Sequence, residues 1–209
     1  MEYFTKKEID EIRKLNTPAK IQDFLDSMKF NFEKDGPTVK SPLFSLRSKN
    51  IHCLEGAMLG AYILSVHGFD PLILHLKATP DDFDHIITPF QIDGLWGALS
   101  KTNHYTLRYR EPVYKNIREL VMSYFHEYFL NSNGKKTLRS YSRPLNLNKF
   151  KINWVTAKED LWIVDDKLDE IMHYEIVNKK IIKNLRKADK IERLAGELVE
   201  YKNDKNKKH

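Results

Sequence analysis

Cys53 is the only cysteine in the chain, and it stands at the head of an apolar run, Leu54 to Val66. Leu54, Ala57, Met58, Ala61 and Leu64 recur at spacings of three and four, which predicts a helix. The opposite face, Leu59, Ile63 and Val66, is apolar too, so the helix is expected to be buried on all sides and central. It is too short to cross a bilayer. Gly56 and Gly60 lie one turn apart and admit a second backbone, and His67-Gly68 closes the helix, with Gly68 as a left-handed cap. A sulfur in the first turn of such a helix lies among unpaired N–H groups at the positive dipole end, and both favour thiolate over thiol.

The partner such a sulfur needs is an imidazole. Pro71 to Lys77 reads as a strand, Asp81-Asp82-Phe83-Asp84 as an acidic turn, and His85 to Gln91 as a second strand. Pro89 places that strand at an edge or a bulge. Asp93-Gly94 is a hairpin signal, and Leu95 to Leu99 returns antiparallel, past His85 around Ser100 to Asn103. A further strand is expected over Tyr105 to Tyr109. The three carboxylates before His85 could raise its pKa if they stay close. A thiolate beside an imidazole attacks a carbonyl, and the ring then moves the protons. His52 is expected to point away from the sulfur, and Glu55 to stabilise the helix start. His52, Cys53, Glu55, His85 and His104 are ligand types for zinc, but no C-x-x-C or H-E-x-x-H spacing is present, so no metal and no cofactor is expected.

Cys53, Ala57, Leu64, Gly68 and Pro71, then Asp84-His85, then Gly94-Leu95-Trp96, resemble the core of the transglutaminase-like superfamily of papain-fold cysteine enzymes. The resemblance covers residues 48–104, and the runs Asn103–Tyr114 and Ser123–Phe129 resemble a less characterised bacterial branch. It implies an α+β fold with a papain/transglutaminase-like core, in which a central helix headed by the cysteine packs on an antiparallel sheet, flanked by N- and C-terminal helices. It implies Cys53 as nucleophile and His85 as acid and base, through a thioester, with the Cys53 N–H helping to hold the oxyanion. Water as acceptor gives a protease or amidase; an amine gives a transferase. The substrate is then a peptide, a protein or a small amide. The family's aspartate position falls on Ser100, and Asn103 is the nearest residue able to orient a histidine as papain's asparagine does. Gln22, Ser48 and Asn50 are the polar candidates for the upstream oxyanion donor. The absent aspartate also supports an alternative, a catalytically degenerate member serving as a binding or scaffold module.

Two capping boxes, Thr5-x-x-Glu8 and Thr156-x-x-Glu159, open helices at 6–15 and after 156, and Thr17-Pro18 opens one running to Met28. Residues 30–50 and 131–144 read as irregular loops. An aromatic stripe predicts a helix over 115–130, alternation predicts a strand over 145–154, and a final amphipathic helix is expected over 178–201 with a frayed end. One α+β domain, 1–177, followed by a basic helix and tail, 178–209, is the expected organisation. The net charge of +6 sits wholly in residues 179–209, and the rest is balanced. That tail lacks the interleaved aromatics of single-strand binding, so nucleic acid is not an expected partner. With no apolar leader, no spanning stretch and one free thiol, a cytoplasmic, membrane-free protein is expected.

Overall fold

A computed structural model describes residues 3–202. Three helices precede the central one: α1 (Lys6–Lys14), α2 (Pro18–Asp26) and, after β1 (Lys29–Phe30), α3 (Pro42–Ser48). β2 (Asn50–Ile51) pairs in parallel with β1 and delivers the chain to α4 (Cys53–Val66). Then follow β3 (Leu72–Lys77), β4 (His85–Ile92), β5 (Leu95–Ser100), β6 (Arg110–Tyr114), α5 (Ile117–Phe125), β7 (Ser140–Ser142) and β8 (Leu145–Asn146). The chain ends in α6 (Trp162–Glu170), β9 (His173–Glu175), α7 (Lys179–Lys183) and α8 (Lys190–Gly196). The fold is mixed α+β. Seven strands form one sheet in the order β6-β5-β4-β3-β7-β9, with β8 also on β3, and every pair is antiparallel. No helix among the described residues is long and apolar enough to cross a membrane.

The pleat of the sheet separates two cores. Ile73, Ile86, Phe90 and Leu99 join α4 and the other N-terminal helices, while their neighbours Leu74, Ile87 and Ala98 join the aromatic stripe of α5. α4 is buried from Leu54 to Leu64. Gly68 at φ +88° turns the chain out of α4, with the Phe69 N–H donating to Leu64 C=O. The two helix glycines are unequal. A Cβ on Gly56 would lie 2.5 Å from the Cβ of Lys101, whereas one on Gly60 would meet the tip of Leu99 at 3.0 Å. Lys101 cannot withdraw, being fully buried with its Nζ 2.6 Å from Met28 O. Gly56→Ala is therefore expected to cost ~1–3 kcal/mol despite the better helix former, and Gly60→Ala well under half of that. Urea midpoints of the two variants check this.

Several elements differ from the sequence expectations, each for a local reason. Asp93 and Gly94, at φ +51° and +80°, make a two-residue turn that pairs Ile92 with Leu95. β4 is interior to the sheet, not an edge; Pro89 is tolerated because the β3 ladder covers only His85–Ile87. No strand covers 105–109, because Leu107 adopts φ +59°; the edge strand is β6, with Pro112 inside its register shift against β5. α5 stops at Phe125 rather than 130, and Leu147–Lys149 is a 3-10 turn where a strand was expected. Residues 30–50 and 131–144 are not wholly irregular, since they hold β1, α3 and β7. Thr156 caps nothing: its hydroxyl accepts from Asn153 Nδ2, and α6 starts at Trp162 after the Leu161 N–H bonds Val39 O. The final helix is two helices, because Asp189-x-x-Glu192 forms its own capping box and the Ala188 N–H is drawn to Gly134 O. Fraying was expected from Tyr201 to His209, but the Tyr201 backbone is held by Asn103; residues 203–209 lie outside those described.

Candidate active site

Apolar packing of α4 on β4 and one buried hydrogen bond bring the head of the helix to the start of the strand. The Thr88 hydroxyl donates to Ala57 O at 2.7 Å. One helical turn back from Ala57 is Cys53, and three residues back along the strand is His85. Cys53 is half-buried, while His85 and Ser100 are buried. Burial alone would raise the Cys53 thiol, but hydrogen bonding to His52 and to His85, with the charge of those rings, outweighs it and brings the thiol from 9.0 down to about 5.

His85 Nε2 lies 2.8 Å from Ser100 Oγ. Pairing of Ile87 with Ser100 puts Ser100 on the strand face that His85 shares. Ser100 has one hydroxyl proton, and it goes to Leu107 O. The serine can therefore only accept from the ring, which fixes the Nε2–H tautomer and leaves Nδ1 for the sulfur. The backbone of Ser100 is held too: its N–H donates to Gln22 Oε1 at 2.9 Å, and Gln22 Nε2 donates to its carbonyl at 2.8 Å.

His52, expected to point away, instead flanks the sulfur as the N-cap of α4. Its Nε2 is 2.8 Å from Thr38 O, with Glu55 Oε1 at 3.6 Å and Glu33 Oε1 at 3.8 Å. Burial lowers its pKa, but bonding to Cys53 and the nearby Glu55 carboxylate raise it to about 9. Its Nδ1 has two competing uses. In the neutral ring it accepts from the Leu54 N–H at 3.3 Å; in the charged ring it donates to the sulfur. The long cap bond is the weaker claim. The spacing His52-x-x-Glu55 carries the signal for this arrangement, since it is the N-cap–N3 pair of a capping box with an unusual cap.

Glu55 is wholly buried and collects the surrounding donors. Thr38 Oγ1 reaches it at 2.8 Å, Lys40 N at 3.1 Å, His52 N at 3.2 Å, Asn31 Nδ2 at 3.4 Å and Lys40 Nζ at 3.5 Å. It thereby clamps the loop 31–40 over the head of α4.

Other expected residues lie elsewhere. Asn103 does not reach His85: its amide is closed on the Tyr201 backbone, accepting from N and donating to O, both at 2.9 Å. Ser48 bonds the Ser45 and Asn50 carbonyls, and Gln22 serves Ser100, so neither stands as an oxyanion donor. The Cys53 N–H is a first-turn donor without an intrahelical partner. The three carboxylates before His85 are engaged away from it: Asp81 by Lys135, Asp82 by Thr137, and Asp84 by His75 and the Ala78 N–H. Among the described residues, His75, Asp84 and Asp169 bring possible metal-ligand atoms within 4.8 Å of one another. They are also engaged with their neighbours, His75 lying 2.9 Å from Asp84 and Lys77 2.7 Å from Asp169. This is not the ligand set drawn from the sequence. The chain matches no protein-family model and no curated protein.

The two shifts define a pH window. The Cys53 value is depressed, so its contribution to stability is lost as pH falls through about 5; the His52 value is raised, so its contribution is lost as pH rises through about 9. Between those limits the pair is thiolate and imidazolium. The ultraviolet absorbance of the thiolate is expected to persist from about 9 down to about 5, to vanish below, and to be absent in Cys53→Ser.

Proposed function

We propose that the chain is a thiol-dependent acyl-transfer enzyme of the transglutaminase-like, papain-fold kind. The observation that carries this reading is one sulfur flanked by an imidazole whose far nitrogen is fixed by Ser100. The order of parts supports it as well: a cysteine heading a buried helix, then a histidine on the sheet packed against that helix, then its orienter on the next strand. Cys53 thiolate adds to an amide or ester carbonyl, and the Cys53 N–H donates to the oxyanion. With the proton of the Cys53 thiol held on its Nδ1, beside the one Ser100 keeps on Nε2, His85 gives the Nδ1 proton to the leaving amine or alkoxide, and the thioester remains on Cys53. His85 then takes a proton from water, or from an acceptor amine, as that nucleophile releases the acyl group.

The test is to offer the protein activated esters and short peptide amides and weigh the intact chain. An acyl increment on Cys53, absent in Cys53→Ala, is the expected result, and adding a primary amine separates transfer from hydrolysis by product mass. The serine at the family's aspartate position favours a second reading, a degenerate binding module. No acyl adduct from any activated ester, with an ordinary thiol titration, would establish that second reading in place of the first.

A further inference from the structure

The acceptor for the Ser100 proton is an unusual one. Leu107 O belongs to a non-glycine residue at φ +59°, a left-handed conformation that must be held by its surroundings. Two side chains, one in the last turn of α5 and one two residues beyond it, hold it. Glu127 Oε2 accepts from the Leu107 N–H at 2.8 Å, and the Tyr124 hydroxyl donates to the next carbonyl, Arg108 O, at 3.1 Å. Glu127 is itself fixed by Arg110 at 2.7 Å, whose guanidinium lies 4.2 Å from the centre of the Tyr124 ring and donates to Ser123 Oγ at 2.9 Å. Among the described residues, no other carboxylate bonds directly to His85, Ser100 or Leu107.

We infer that Glu127 is a positioning residue of the site: by holding Leu107 in its left-handed backbone, it sets the Ser100 hydroxyl as an acceptor for His85. This rests on the Cys53–His85 reading above and adds to it a residue 42 positions downstream of His85, in the turn that follows α5. The effect is one of placement. The carboxylate touches neither the ring nor the sulfur, and the amide it holds is not the one that accepts from Ser100. Freed of Glu127, Leu107 relaxes toward negative φ, its carbonyl turns, and the Ser100 proton is released to point at His85 Nε2. The ring then loses the contact that fixes its tautomer.

The test is a double-mutant cycle on full-length protein, reading single-turnover acylation of Cys53 by an activated ester from pH 5 to 9, with melting curves alongside. Glu127→Ala is expected to slow acylation about tenfold and to move the pH of half-maximal rate. In a Ser100→Ala background the same change is expected to do neither, because the link runs through that hydroxyl. Glu127→Gln keeps an acceptor for the Leu107 N–H and is expected within about twofold of the parent. Should Glu127→Ala not fold, Glu127→Asp keeps the Arg110 pair and withdraws the acceptor, with about threefold slower acylation expected. Equal losses with and without Ser100, or parent-like acylation in both Glu127→Ala and Glu127→Asp while His85→Ala is inactive, would overturn the link alone. Parent-like acylation in His85→Ala would overturn the Cys–His reading and the link with it.

Discussion

Replacing His85 by alanine is expected to lower acyl transfer by about 10²–10⁴-fold, the usual worth of a positioned acid and base. The same variant is expected to raise the Cys53 titration midpoint from about 5 by roughly 1–3 units, because a ring that favours the thiolate is gone while His52 remains. A bare rate at neutral pH is a poor measure of that shift. Thiolate nucleophilicity rises with pKa, with a Brønsted slope of about 0.4–0.5, so a more basic sulfur is scarcer as thiolate but more reactive. For a shift of about two units, a neutral disulfide probe should react about sixfold more slowly at pH 5, yet about as much faster above pH 8. The curves must therefore cross. Parallel curves would mean that His85 does not act on the sulfur.

Glu55→Ala is expected to cost about 3 kcal/mol of stability, or ~6–12 °C in melting temperature for a chain of this size. The carboxylate is fully buried, and its removal leaves Thr38, Asn31 and two backbone N–H groups without their acceptor. The Lys40 ion pair contributes the smaller share, because that ammonium is 21% exposed and can rehydrate. Differential scanning calorimetry of the two proteins measures the loss. A drop below ~1 kcal/mol would mean that water takes over the vacated contacts.

The parts of the fold that local chemistry dictates were legible in the sequence. The all-round apolarity of Leu54–Leu64 gave α4, the Asp93-Gly94 pair gave the hairpin, and Thr5 and Thr17 gave the first two helices. What failed was decided by contacts distant in sequence. Thr156 carries a good local start signal, but its near neighbour Asn153 takes its hydroxyl, and it is Val39, more than a hundred residues away, that fixes the true start of α6. Residues 105–109 look like a strand until Glu127 holds Leu107 at a positive φ. In the site, the family spacing pointed to Ser100, and the two-residue turn puts it against His85 Nε2, whereas Asn103 was left open as an alternative. No rule of spacing could reveal that the Asn103 amide belongs to Tyr201, nearly a hundred residues away. The role of His52 was missed for a different reason. Imidazole is a rare N-cap, and helical geometry alone sends the residue before the helix outward.

The Asn103–Tyr201 clasp bears on how the protein is handled. The Tyr105 N–H is bonded to Leu198 O and the Glu200 N–H to Asn103 O, so the chain's last described turns splint the connection between β5 and β6. That connection carries Leu107, the acceptor for Ser100. Shortening the gene before codon 198 to obtain a tidier crystallisation sample would remove the splint and slacken a site more than ninety residues upstream in the reading frame.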